Sequence, residues 1–102
     1  MKKIKMMMDY QCYPIWVYNE RGELICNDLI NELINEKEIE EMLNDIQNSY
    51  DNLFINNKIQ FEYKGFYDEI SKNEFLGKVS RVIQLIELKL GDEYVVENKV
   101  NV

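Results

Sequence analysis

Apolar residues recur with two different periods along this chain, and the alternation of the two periods constrains the fold more than any other feature. Two stretches repeat an apolar residue every three or four positions, as the buried face of an α-helix does. The stretches around them alternate apolar and polar side chains, as half-buried β-strands do. Because both patterns occur in one chain of 102 residues, the sequence predicts an α+β fold.

Three strands are predicted before the first helix, at residues 3–10, 15–18 and 23–26. Apolar and polar side chains alternate in the first strand, and a proline precedes the second. Residues 19–22 are polar and end in Gly22, which can adopt the positive φ of a type I turn followed by a bulge. The second and third strands are therefore predicted to pair as an antiparallel hairpin.

The first helix is predicted at residues 35–54, where Asn35 and Glu38 have the spacing of a capping box. Its apolar stripe consists of Ile39, Met42, Leu43, Ile46, Tyr50 and Leu53. Residues 58–66 alternate again and predict a fourth strand.

The second helix is predicted at residues 71–90, between a capping box of Ser71 and Glu74 and the helix-ending Gly91. Its buried stripe consists of Phe75, Val79, Val82, Ile83, Ile86 and Leu90. Residues 94–96 predict a last strand, which gives the order β-β-β-α-β-α-β. The economical architecture is a mostly antiparallel sheet with the two amphipathic helices packed on one face.

The second face of this sheet is then free of helices. In the second strand Ile15 and Val17 alternate with Trp16 and Tyr18, so one of these pairs is expected to face solvent. Exposed clusters of large apolar side chains usually mark binding surfaces.

The length predicts a single domain, residues 1–102, which can bury enough apolar surface to need neither disulfides nor a structural metal. Cys12 and Cys26 lack CxxC spacing and are expected to be reduced thiols. Residues 1–8 are basic and apolar but too short for a signal peptide. No stretch has the length of a membrane span, so a cytoplasmic location is expected.

The charge balance is strongly acidic and favours some partners over others. Nineteen acidic and twelve basic side chains, with no histidine, give a net charge of −7. Nucleic acids and anionic membranes require basic surfaces, so neither is expected as a partner. A protein with a basic surface is favoured, although acidity can also serve solubility alone.

No pattern of catalytic, metal-binding or cofactor-binding residues is present in the sequence. The most common general base, histidine, is missing, so neither a Ser nor a Cys nucleophile can be paired with one. Phosphate-binding glycine loops, Cys/His metal spacings and calcium loops are also absent. We therefore expect a protein that is not an enzyme and that acts without a metal or cofactor.

The first predicted helix carries the best candidate for a partner-binding surface. Polar and acidic side chains lie opposite its apolar stripe, namely Glu40, Glu41, Asn44, Asp45, Asn48 and Asp51. This edge can imitate nucleic-acid phosphate toward a basic protein, or it can simply keep the chain soluble. Tyr13, Trp16 and Tyr18 are candidates for aromatic anchors beside it, because aromatic residues dominate interface energetics. Each of these aromatics can equally be packing within the sheet.

Residues 9–16, 18–24 and 27–29, together with residues 49–55 and the final helix, resemble small proteins of low-GC bacteria. Some of these are similar to the immunity proteins of polymorphic toxin and contact-dependent growth inhibition systems. The resemblance implies a small acidic protein that neutralises a basic, nuclease-type toxin of bacterial competition by occluding its active site.

Two other classes remain open at this point. A phage-type inhibitor of a nucleic-acid-binding defence complex would share the acidic, non-catalytic character. A structural or regulatory subunit would use the aromatic residues for a permanent apolar contact whose affinity hardly depends on salt.

Overall fold

The strands form two separate sheets in the computed structural model, which describes residues 1–102. In chain order the main elements are β1 (Lys2–Met6), β2 (Ile15–Tyr18), β3 (Leu24–Cys26), α1 (Lys37–Asp51), β4 (Phe54–Asn56), β5 (Phe61–Tyr63), α2 (Glu69–Leu90) and β6 (Tyr94–Asn98). Short 3-10 helices lie at Asn31–Leu33 and Gly91–Glu93. The predicted α+β class is confirmed, with one strand more than expected.

The larger sheet has the strand order β3-β2-β1-β6 and is mostly antiparallel. β1 pairs with β2 so that Ile4 lies opposite Val17, and β2 pairs with β3 across the turn at Gly22, whose φ of 82° confirms the predicted turn. β6 runs parallel to β1, with Lys2 opposite Tyr94. The first and last strands of the chain are therefore neighbours.

The core lies between this sheet and the two helices, which pack on one of its faces as predicted. Alternate residues of β1 and β2 point toward the helices and are buried, and α1 and α2 supply the opposite wall. The cluster of 16 buried residues is Ile4, Met6, Ile15, Val17, Ile30, Leu33, Ile39, Leu43, Ile46, Phe75, Val79, Val82, Ile83, Ile86, Leu90 and Tyr94. Neither helix has the length and apolarity needed to cross a bilayer.

The smaller sheet is a hairpin of β4 and β5, in which Phe54 lies opposite Tyr63. We expected one strand at residues 58–66 and a first helix that continued to Phe54. In the structure α1 ends at Asp51, and the chain turns back at residues 57–60 to pair β5 with β4. Both strands have only three residues and pair with no strand of the larger sheet.

Both helices have N-cap residues that differ from those the sequence indicated. Residues 31–33 form a 3-10 turn, and just after it the Glu36 N–H donates a hydrogen bond to the Leu33 carbonyl. α1 therefore starts at Lys37, without a side-chain cap. α2 starts at Glu69 because the Asp68 carboxylate accepts a hydrogen bond from the Ser71 N–H at 2.8 Å. The two predicted capping boxes were therefore wrong, whereas Gly91 ends α2 as expected.

The first strand stops at Met6 rather than continuing to Tyr10, because residues 7–14 form a loop that leaves the sheet. Gln11 has a positive φ of 57° there, and its N–H donates to the Asp51 carboxylate at 2.9 Å. Tyr10 packs against Phe54, with ring centroids 4.8 Å apart. The loop thereby joins the larger sheet to the end of α1 and to the β4–β5 hairpin.

Candidate functional site

The outer face of α1 presents polar side chains that have no partner within the chain. Glu40, Glu41, Asn44 and Asn48 are exposed, and their side chains form neither a hydrogen bond nor an ion pair. The helix places them there because the apolar stripe with Ile39, Leu43 and Ile46 fills the opposite side. These four groups are free to contact another molecule.

The two other acidic candidates on α1 already have partners. Asp45 is exposed, but its carboxylate lies 2.9 Å from the Lys78 ammonium on α2. Asp51 is half-buried and accepts the hydrogen bond from Gln11. The expectation that Asp51 lies on a free edge was wrong, because the loop of residues 7–14 folds over that end of the helix.

Tyr13 lies beside the acidic face of α1, in a cleft of about 280 Å³. The cleft is lined by Tyr13, Asp28, Leu29, Ile34, Glu40 and Asn44. Its far wall is held in place by Asn27, whose amide donates to the carbonyls of Tyr13 at 2.6 Å and Ile15 at 2.8 Å. The cleft therefore combines one predicted aromatic residue, two carboxylates and an apolar wall.

The electrostatic potential in this cleft is negative. Burial, followed by the carboxylates of Glu40 and Asp28, raises the pKa of Tyr13 to about 12. A negatively charged phenolate is disfavoured where carboxylates are near and water is scarce. The Tyr13 hydroxyl is also fully shielded from solvent and has no hydrogen-bond partner. Burial disfavours a charge of either sign, whereas the two carboxylates favour a positive charge over a negative one.

Trp16 and Tyr18 lie on the opposite side of the molecule from α1. They point from β2 to the face of the larger sheet that no helix covers, whereas Ile15 and Val17 are buried. The Trp16 indole donates to the Met7 carbonyl at 3.1 Å, and the Lys5 ammonium lies 4.6 Å from the Tyr18 ring centroid. Both aromatics are half-buried, so the structure does not place them beside Tyr13 as one surface.

The sequence reasoning missed a group of exposed apolar side chains that lie on and after the β4–β5 hairpin. Ile59 and Tyr67 are 95% and 96% exposed, and Phe61, Tyr63 and Ile70 are also exposed. The alternation in residues 58–66 was the signal for this surface, because it puts Ile59, Phe61 and Tyr63 on one side of a strand.

Groups with redox or metal chemistry are not gathered at any of these places. Cys12 and Cys26 are free thiols, and burial together with Asp9 and Asp51 raises the pKa of Cys12, which makes its thiolate scarcer. No group of three or more Cys, Asp or Glu side chains is arranged to hold a metal ion.

Comparison with known proteins agrees with the resemblance seen in the sequence. Residues 2–99 match the model of a protein family described as Serratia CdiI immunity protein-like. No curated protein matches the chain. Because the family match extends over nearly all of the sequence and the fold, the chain belongs to the Serratia CdiI-like family of contact-dependent growth inhibition immunity proteins.

Proposed function

We propose that this immunity protein neutralises a toxin with a basic, nuclease-type active site by covering that site with the outer face of α1. Binding of a cognate toxin follows from the family. The observation that supports this face is its unpaired negative charge. Glu36 and Asp45 have lysine partners on α2, at 3.3 Å and 2.9 Å, whereas Glu40 and Glu41 have none.

A basic active site is the partner that fits such a face. Nucleases hold the phosphates of their substrates, which requires Lys and Arg side chains around the reaction centre. The net charge of −7 extends the attraction beyond the contact itself and speeds the encounter of the two proteins. Occlusion of this kind needs no chemistry on the part of the immunity protein, so we propose that it acts by binding alone.

Salt dependence of binding tests the proposal most directly. The parent chain and its cognate toxin would be mixed at ionic strengths from about 0.03 to 0.5 M, where the Debye length shrinks from roughly 18 to 4 Å. Steering by opposite charges predicts that the association rate falls steeply with salt while the dissociation rate changes little. A salt-independent association rate would contradict a basic binding surface on the toxin.

Charge reversal then tests the position of the interface. We expect Glu40→Lys with Glu41→Lys to slow association and to abolish protection of cells that express the toxin, because a basic surface would now meet like charge. The matched control is Asp92→Lys with Glu93→Lys, an equal charge change at exposed positions after α2. Equal effects of the two variants would move the toxin site away from α1.

A further inference from the structure

We propose that the cleft beside Tyr13 receives one lysine or arginine side chain of the toxin, held between the carboxylates of Asp28 and Glu40. This inference rests on the proposed function, because it assumes a toxin with a basic surface. It extends the proposed function by naming where one cationic residue of the toxin surface becomes buried.

The walls of the cleft match the two parts of such a side chain. Lys and Arg have an apolar stem and a charged head, and they bury the stem while the head remains with polar groups. Leu29 and Ile34 give the cleft an apolar side, and Ile34 is 57% exposed although it is a large aliphatic residue. Asp28, Glu40 and Asn44 supply oxygen acceptors on the other sides.

Nothing within the chain neutralises these acceptors. Neither Asp28 nor Glu40 forms an ion pair, and the only hydrogen bond of the Asp28 carboxylate comes from the neighbouring Leu29 N–H at 2.7 Å. The Tyr13 hydroxyl is buried without a partner, and the pKa of Tyr13 is raised first by that burial and then by the nearby carboxylates of Glu40 and Asp28. A cation beside the Tyr13 ring would also gain a cation–π interaction if it lay over the ring face.

Other ligands fit the cleft less well. An anion or a nucleic-acid phosphate would meet two carboxylates, and the cleft has only these two carboxylates and no third Cys, Asp or Glu side chain for a metal ion. The basic groups of the open sheet face are already occupied within the chain, since Lys3 pairs with Glu97 at 2.9 Å and Lys5 lies over Tyr18. The cleft thus combines two unpaired carboxylates with an apolar wall.

Isosteric neutralisation of the cleft provides the test. The variant Asp28→Asn with Glu40→Gln keeps side-chain shape, and the amide oxygen introduced at position 28 can still accept the Leu29 N–H. The control, Asp92→Asn with Glu93→Gln, changes the net charge equally at exposed positions outside the cleft and outside the outer face of α1. Circular dichroism would confirm that both variants remain folded, and surface plasmon resonance with the cognate toxin would give both rate constants.

We expect the cleft variant to dissociate at least ~10-fold faster than the parent, because removal of one partner of a desolvated charge pair acts mainly on the dissociation rate. The control should only slow association, by a few-fold at most. Equal rate changes in the two variants would overturn the cleft. If the parent still associates in a salt-dependent way in that case, the basic toxin surface stands without it; salt-independent association would remove the proposed function itself.

The toxin side of the contact can be identified by a double-mutant cycle. Each surface Lys or Arg of the toxin would be replaced by Met and measured against the parent and against Glu40→Gln. Replacing one cationic toxin residue should weaken binding to the parent but have little effect on binding to Glu40→Gln. The coupling between the two substitutions should be at least ~10-fold in affinity. Additive effects for every toxin residue would contradict the proposal.

Discussion

The four-stranded sheet and the β4–β5 hairpin are both made from short alternating sequences, but they bury their apolar sides to very different degrees. In β1 and β2 the apolar positions face two helices and reach complete burial at Ile4, Met6 and Ile15. In β5 the corresponding positions, Phe61 and Tyr63, remain exposed because no helix lies over them. Period alone predicts which residues share a face, and it does not predict whether another element covers that face.

The hairpin depends on the few contacts that connect it to the rest of the chain. An isolated two-stranded hairpin is only marginally stable in water. Phe54 packs against four aromatic rings, those of Tyr10, Tyr50, Phe61 and Tyr63, at centroid distances from 4.8 to 5.5 Å. Asn56 also donates to the Tyr10 hydroxyl at 3.2 Å. The hairpin should therefore open locally while the main core stays folded.

Replacing an apolar residue by aspartate in the core and in the hairpin should give the largest difference in the free energy of unfolding. Ile46→Asp places an unpaired carboxylate at a fully buried position, and we expect it to unfold the chain, with a loss of at least about 4 kcal/mol. Val82→Asp should do the same in α2. Ile59→Asp, at the exposed tip of the hairpin, should change the free energy of unfolding by less than about 0.5 kcal/mol. Urea titration followed by circular dichroism measures all three, and a stable Ile46→Asp variant would contradict the core assignment.

An intermediate effect is expected when the aromatic support of the hairpin is removed. Phe54→Ala deletes four ring contacts, each worth about 0.5–1.5 kcal/mol beyond area burial in favourable geometry. Hydrogen exchange should become faster for the hairpin amides at residues 54–63 and remain unchanged for the core amides of β1 and α2. Phe66→Ala, which removes a single ring contact with Phe75 outside the hairpin, is the control. Uniformly faster exchange across the chain would show that the two regions open together.

The smallest change in stability should come from lowering the pH, and it should arise from contacts to the four-stranded sheet. A hydrogen bond from Tyr94 to Glu32, at 2.6 Å, lowers the pKa of Glu32 in the folded state, and the hydrogen bond from Lys3 similarly lowers the pKa of Glu97. Groups with lowered pKa stabilise the fold above their unfolded pKa, near 4.5, and lose that contribution as the pH falls further.

The urea midpoint should therefore decrease from pH 5 to pH 3. Glu32→Gln retains an acceptor for Tyr94 but cannot titrate, so its midpoint should depend less on pH than that of the parent. An unchanged pH dependence would assign the acid sensitivity to other carboxylates.

The sequence predicted the features that depend on local pattern. The two helices, the turn at Gly22 and the buried positions Ile46 and Val82 follow from period and glycine placement. β4 was missed because its three residues directly follow the apolar stripe of α1 and look like its continuation. The start of α1 was misplaced because Asn35 has the residue type of a cap, whereas the preceding 3-10 turn decides where the helix begins.

The site was predictable only where it lies on one helix. The exposure of Glu40 and Glu41 follows from the position of Ile39 and Leu43 on the same helix. The cleft joins Tyr13, Asp28 and Glu40 from three separate parts of the chain, and no spacing in the sequence indicates that meeting. Trp16 and Tyr18 were grouped with Tyr13 by proximity in sequence, but the alternation of side chains along β2 places them on the face of the sheet opposite the helices.

The parallel pairing of β1 with β6 has a consequence for when the sheet can be completed during synthesis. β1 is synthesised well before its neighbour β6, and both helices lie between them in the chain, so the sheet is completed only after the helices have been synthesised. Contacts between residues so distant in sequence slow folding. Until β6 arrives, β1 keeps an unpaired edge that can associate with other chains. The synthesis of β6 therefore ends the interval in which the edge of β1 is open to other chains.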